Sequence, residues 1–250
     1  RDDARQALYK QYRARIEVNP ALSRRLVSYQ SNRNRPYYRW FKYKEGFSAD
    51  LVEYVLSRTG TETGRILDPF AGSGAALFAG RALGCDVEGI ELLPVGVFAV
   101  KARLAAERVG AEPFKEAIDR FRSDDWRSGH DPDLAFRHLP ITAGAFPAQT
   151  ENDIRGYRTY VRNRIDDPNI RRLFETACLC ILESVSYTRK DGQYLRWDER
   201  AVRNRSSQNF NKGTILSFGQ AVEKKLRSMH QDMAKSTLVS IRPGPDRHQV

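Results

Sequence analysis

Apolar residues recur along this chain with two periods, and the change between them divides it. Arg65-Ile66-Leu67 is a short apolar run ending at Asp68, and Asp86 to Glu91 is a second run ending in a carboxylate; both read as strands. Between them Ala75 to Leu83 has helical composition, with Gly84 placed to end the helix in a left-handed residue. Ser48 is positioned to cap the helix that follows it, ahead of the first strand; the apolar face of that helix is Leu51, Val52, Val55 and Leu56. Val95 to Val109 reads as a further helix closed by Gly110, with Val97, Val100, Leu104 and Val109 turned inward. Strand, helix, strand and helix in this order predict an α/β unit with a parallel sheet.

The clean alternation stops near residue 111. Phe114 to Phe121 looks helical, Ser123 to Gly129 is polar and loop-like, and Leu134 to Thr150 is irregular. Residues 151–165 and 168–188 read as helices, the second strongly apolar through Ile170, Leu173, Phe174, Ala177 and Ile181. Lys190-Asp191-Gly192 signals a turn, Gly213 to Lys235 another helix with Phe218, Val222 and Leu226 on one face, and Leu238 to Ile241 a strand. Ala4, Leu8, Tyr12 and Ile16 recur every four residues, so residues 1–30 read as helix. The division expected is a basic helical segment over 1–35, an α/β region over 36–110, a mainly helical region over 111–240, and the start of a further strand over 241–250. The chain reads as a piece of a longer protein, because it opens on arginine and stops without tail-like composition.

The turn between the two strands carries the chemistry. Pro69-Phe70-Ala71-Gly72-Ser73-Gly74 lets the backbone bend sharply and approach a ligand, because Gly72 and Gly74 have no Cβ. The helix that follows offers free N–H groups to a polar or anionic ligand. A carboxylate at the end of the second strand, Glu91, can bond the two hydroxyls of a ribose. The turn is neither G-x-G-x-x-G nor a P-loop, so a dinucleotide or a nucleoside triphosphate is not its first choice.

Asp68-Pro69-Phe70-Ala71-Gly72-Ser73-Gly74 resembles the S-adenosyl-L-methionine motif of the DNA methyltransferases that act on exocyclic amino groups, N6 of adenine or N4 of cytosine. Arg39 to Ser48, RWFKYKEGFS, is similar to the segment that precedes the cofactor strand in that family and closes over the methionine end. The resemblance covers about residues 35–110. It implies a Rossmann-like class I methyltransferase fold, a doubly wound sheet carrying a largely helical insertion. It implies S-adenosyl-L-methionine as cofactor, with Asp68 orienting the turn and the amino end. Pro69, Phe70, Ala71, Gly72, Ser73 and Gly74 would form the floor, Glu91 would hold the ribose and Leu92 would pack on the adenine. Lys44, Phe47 and Ser48 would close the site. It also implies double-stranded DNA as partner and a restriction–modification or similar defence setting.

The catalytic tetrapeptide of that family, [DNS]-P-P-[YFW], is absent from the 250 residues, so no catalytic residue is assigned. It is expected beyond Val250 or on a second chain; a protein that binds the cofactor without catalysis is the remaining option. An RNA N-methyltransferase and a non-catalytic nucleic-acid-binding subunit are the alternatives from other classes.

Charge narrows the partners. The net charge is +11, which favours a polyanion. The first 44 residues carry twelve basic groups against three acids. From Arg189 to Lys212 there are seven against three, interleaved with aromatics and amides. Arg189, Lys190, Arg196, Arg203 and Arg205 are the candidate DNA contacts, since cations hold phosphates and arginine can read base edges. The alternating rings and cations of Tyr37 to Tyr43 suit either stacked bases or a wall over the cofactor, and the resemblance favours the wall. Three cysteines supply no disulfide framework and suit a reducing cytoplasm. Four scattered histidines make no metal constellation, and no apolar run is long enough to span a membrane.

Overall fold

The structure, a computed structural model, describes residues 2–61, 63–134, 136–191, 194–202 and 210–236. Helix α1 (Asp2–Tyr12) buries none of its side chains. Helix α2 (Ala49–Thr59) starts at Ser48, whose hydroxyl accepts the Leu51 N–H, and ends at Gly60 in the left-handed region. Strand β1 (Arg65–Asp68), helix α3 (Ala75–Ala82) and strand β2 (Asp86–Gly89) form the expected unit. The strands run parallel, with Arg65 opposite Asp86 and Asp68 opposite Gly89. Pairing continues past β2, because the Ile90 N–H reaches the Asp68 carbonyl at 2.9 Å. Helix α3 covers one face so closely that a Cβ on Gly80 would meet Ile66 at 2.7 Å. The other face is open, with Leu67 60 % exposed.

Helix α4 (Pro94–Val109) is closed by Gly110 and followed at once by α5 (Ala111–Ser123). Its buried face is Gly96, Ala102, Ala105 and Ala106, with Val97, Val100 and Val109 only half-buried. Small residues let α4 lie close to α7 (Pro168–Ile181), its main partner. With α6 (Ala148–Arg164) and α8 (Phe218–Ser236), helices α5 and α7 enclose the main core. Phe114, Phe121, Tyr157, Phe174 and Phe218 meet there largely edge to face, at centroid distances of 5.4–6.2 Å. An antiparallel hairpin, β3 (Thr188–Asp191) and β4 (Tyr194–Trp197), stands apart from the parallel pair.

Several expected boundaries are corrected. Residues 1–30 are not one helix: α1 stops at Tyr12, a single 3-10 turn follows over Arg13–Arg15, and no helix resumes before Tyr29. Pro20 disfavours helical backbone at Asn19, and the i, i+4 stripe finds no surface to cover. The helix over 168–188 ends at Ile181, because Ser184 and Ser186 turn their hydroxyls onto the carbonyls of Ile181 and Glu183. Strand β3 begins at Thr188, so Lys190 and Asp191 are strand residues, paired with Leu195 and Tyr194. Helix α8 begins at Phe218 rather than Gly213. The strand expected over Leu238 to Ile241 and the region 241–250 lie outside the described residues. Among the described residues the parallel sheet has two strands, so the architecture is mixed helix and strand.

Candidate cofactor-binding site

The turn after β1 is held by its own carboxylates. Asp68 Oδ1 accepts the Phe70 N–H at 3.0 Å. The other oxygen, Oδ2, is buried without a hydrogen-bond partner. Ala71 is buried and its N–H reaches the Ile90 carbonyl at 2.9 Å, which ties the turn to the end of β2. Gly72 and Gly74 have φ of +53° and +81°, a region that side chains avoid. Ser73 lies between them, and Gly74 opens α3. Glu91 Oε2 accepts the Gly72 N–H at 2.5 Å, while Oε1 accepts the Leu93 N–H at 2.7 Å. The first turn of α4 presses on this pair: a Cβ on Gly96 would stand 2.7 Å from the Gly72 carbonyl and 2.8 Å from Glu91 Cγ.

Asp68, the glycine turn and Glu91 are therefore one contiguous site at the C-terminal edge of the two strands. Phe70 and Leu92 flank it, 86 % and 90 % exposed. The acceptor set fits a ribose-bearing cation. Each Glu91 oxygen keeps a free lone pair for a hydroxyl, and the orphaned Asp68 Oδ2 offers a charge to an ammonium group. The glycines leave the main chain bare for close approach.

The closing segment is placed differently from residue to residue. Tyr43, not singled out from the sequence, lies on the turn: a Cβ on Gly72 would come within 3.0 Å of its ring. Burial, and then the nearby Glu91 carboxylate, push the Tyr43 phenol up from its ordinary pKa. The aromatic–cation alternation of residues 37–43 was the available signal. Ser48 is fully buried and committed elsewhere, bonding the Leu26 carbonyl and capping α2. Phe47 is partly exposed, and its carbonyl accepts from buried Asn32 at 3.2 Å. Lys44 extends to the Lys190 carbonyl at 2.9 Å.

The basic stretch after residue 189 divides by strand alternation. Arg189 and Arg196 stand directly opposite each other on the outer face of the hairpin, beside Asp191 and Tyr194, which is 79 % exposed. Arg196 pairs with Asp191 at 3.3 Å and lies over the Phe210 ring at 4.7 Å. Lys190 is on the other face and pairs with Glu45, holding that carboxyl below its ordinary pKa. Arg200 and Lys212 are structural. Arg200 grips the buried Asp198 at 2.6 and 2.9 Å, and the Lys212 N–H reaches the same carboxylate at 2.6 Å. Arg203 and Arg205 lie outside the described residues.

Comparison with known proteins gives the site a context. Over 228 residues, 90 % of its length, the chain is 40 % identical to Type II methyltransferase M.AvaI of Nostoc sp. and to that of Anabaena variabilis. The relatives are Type II methyltransferases. A third, M.BsoBI of Geobacillus stearothermophilus, is 38 % identical over 194 residues, 77 % of this chain. The similarity to Type II methyltransferases thus extends over nearly the whole chain, including the helical region. The chain spans about half the length of the curated relatives it matches: 47 % of M.AvaI and 37 % of M.BsoBI. No family model matches the chain, and no solved structure does. Among the described residues no three His, Cys, Asp or Glu side chains converge on a metal position, and no helix is long and apolar enough to cross a membrane.

Proposed function

We propose that this chain is the cofactor-binding half of an S-adenosyl-L-methionine-dependent DNA methyltransferase acting on an exocyclic amino group, in a cytoplasmic restriction–modification system. The observation that carries this is the pairing of Glu91 with the Gly72 N–H beside the unpartnered oxygen of Asp68. Glu91 receives the ribose hydroxyls, Asp68 the methionine ammonium, and the turn from Pro69 to Gly74 the main-chain contacts. Phe70 and Leu92 supply apolar surface for the adenine, and Tyr43 closes the site over Gly72. In this reading β1 and β2 belong to a Rossmann-like doubly wound sheet whose other strands, together with the catalytic tetrapeptide, come from outside these 250 residues or from a second chain. The bound cofactor supplies an electrophilic methyl group on sulfonium sulfur. This chain's residues bind it, orient it and shield it from water.

Duplex DNA is the partner. Two arginines directly opposite on a hairpin gather positive charge on one exposed face, and the Asp191 carboxylate beside them offsets it only in part. Arg189 and Arg196 are therefore assigned to phosphates and Tyr194 to contact between them. Isothermal titration of the full-length protein with S-adenosyl-L-methionine tests the cofactor assignment. Binding that survives in both Glu91→Ala and Gly72→Asp would overturn it.

A further inference from the structure

The segment that reaches Tyr43 is governed from the far end of the chain. Asp232, on α8, is fully buried, and a buried carboxylate has to be paired or hydrogen-bonded. Four N–H groups meet it, all from residues 37–40. They are the Tyr37 main chain at 3.1 Å, Arg39 Nε at 3.0 Å, Arg39 Nη2, and the Trp40 indole at 2.9 Å. Seven residues earlier on the same helix, Lys225 Nζ donates to the Trp40 carbonyl at 2.5 Å.

Tyr37 is the one non-glycine residue with positive φ, +64°, among the described residues. An L side chain in the left-handed region is strained and persists only where its surroundings hold it. Here the Asp232 carboxylate takes its N–H, while its ring lies 4.8 Å from Trp40 and 5.2 Å from the Arg103 guanidinium. The bend at Tyr37 sets the direction in which the chain leaves for Phe41 and Tyr43. Tyr43 in turn lies on Gly72, beside Glu91.

We propose that Asp232 is a positioning residue of the cofactor site: it locks the left-handed bend at Tyr37 and thereby places Tyr43 over the Gly72 turn. The proposal rests on the cofactor reading given above. It adds to that reading a buried acid that touches neither the glycine turn nor Glu91.

The test uses the full-length protein and measures KM for S-adenosyl-L-methionine, kcat on duplex DNA and thermal stability. Asp232→Asn keeps the shape but removes the charge and turns one acceptor into a donor. KM for the cofactor should rise about tenfold or more, with kcat at saturating cofactor and KM for DNA little changed. Trp40→Phe removes a single donor and leaves the carboxylate with three; it should raise the cofactor KM by a smaller factor. A role confined to anchoring α8 predicts lower stability with unchanged cofactor KM, and that result overturns the proposal. Should Asp232→Asn fail to fold, Trp40→Phe decides, and an unchanged cofactor KM there overturns the proposal equally. Wild-type protein that does not bind the cofactor would sink the functional reading, and this inference with it.

Discussion

Replacing Glu91 by glutamine separates its two tasks, stapling the turn and holding a ribose. The carboxylate accepts two main-chain N–H groups, from Gly72 and Leu93. Hydrogen bonds to a charged group contribute about 1.5–3 kcal/mol. Glutamine keeps one acceptor oxygen, while its NH₂ group must face the other N–H. The folded state should lose about 1–2 kcal/mol, a fall in Tm of roughly 2–8 °C for a chain of this size. The ribose hydroxyls lose a charged acceptor as well, which should weaken cofactor binding roughly 10- to 100-fold. Titration calorimetry and thermal denaturation of the same preparation read both effects. A variant with lowered Tm whose Kd stays within about threefold of wild type would refute the ribose role and leave Glu91 as a staple of the turn.

Gly72→Ala forces a side chain to φ +53° and places its Cβ 3.0 Å from the Tyr43 ring; it should lower Tm and abolish cofactor binding. Gly84→Ala, at φ +90° with open space around it, should lower Tm alone, so equal cofactor affinities in the two variants would refute the close approach at Gly72. Arg189→Ala and Arg196→Ala should each flatten the salt dependence of DNA binding by about one unit of log–log slope, checked by fluorescence anisotropy across a salt series; unchanged slopes would remove the hairpin from the interface. The Asp198 carboxyl is held well below the usual carboxylate range, first by Arg200, against the opposing effect of its burial, and then by the Lys212 and Arg200 N–H groups. A depressed folded pKa contributes stability that is complete above the ordinary carboxyl value of about 3.9 and is lost as pH falls through the lower folded one. The stability gap between wild type and Asp198→Asn, followed by circular dichroism, should therefore stay constant from neutral pH to about 4 and close below it. A gap constant down to the acid-unfolding point would contradict this.

The glycine turn was legible because local chemistry determines it: Gly72 and Gly74 take the left-handed backbone, Asp68 ends β1, and Glu91 lies just past the end of β2. Helix caps were legible for the same reason, as Ser48 and Gly110 show. What stayed hidden depends on distant partners. Ser48 looks available to a ligand until Leu26, 22 residues away in sequence, is seen to take its hydroxyl. Lys190 and Arg189 look equivalent in composition, and only strand alternation separates the one that pairs with Glu45 from the one left in solvent. The hairpin itself was masked by the strong apolar helix before it, whose pattern runs on into Val185 although serine hydroxyls have already ended the helix. Asp232 is one acid among many along the sequence, and its four donors lie about 190 residues earlier.

The most direct test is methyl transfer by the full-length protein from isotopically labelled S-adenosyl-L-methionine, offered duplex DNA and total RNA in parallel, with the labelled nucleoside identified after digestion. The account predicts label in DNA, on N6 of adenine or N4 of cytosine. Label in RNA alone, label on C5 of cytosine, or bound cofactor with no transfer to either polymer would contradict it.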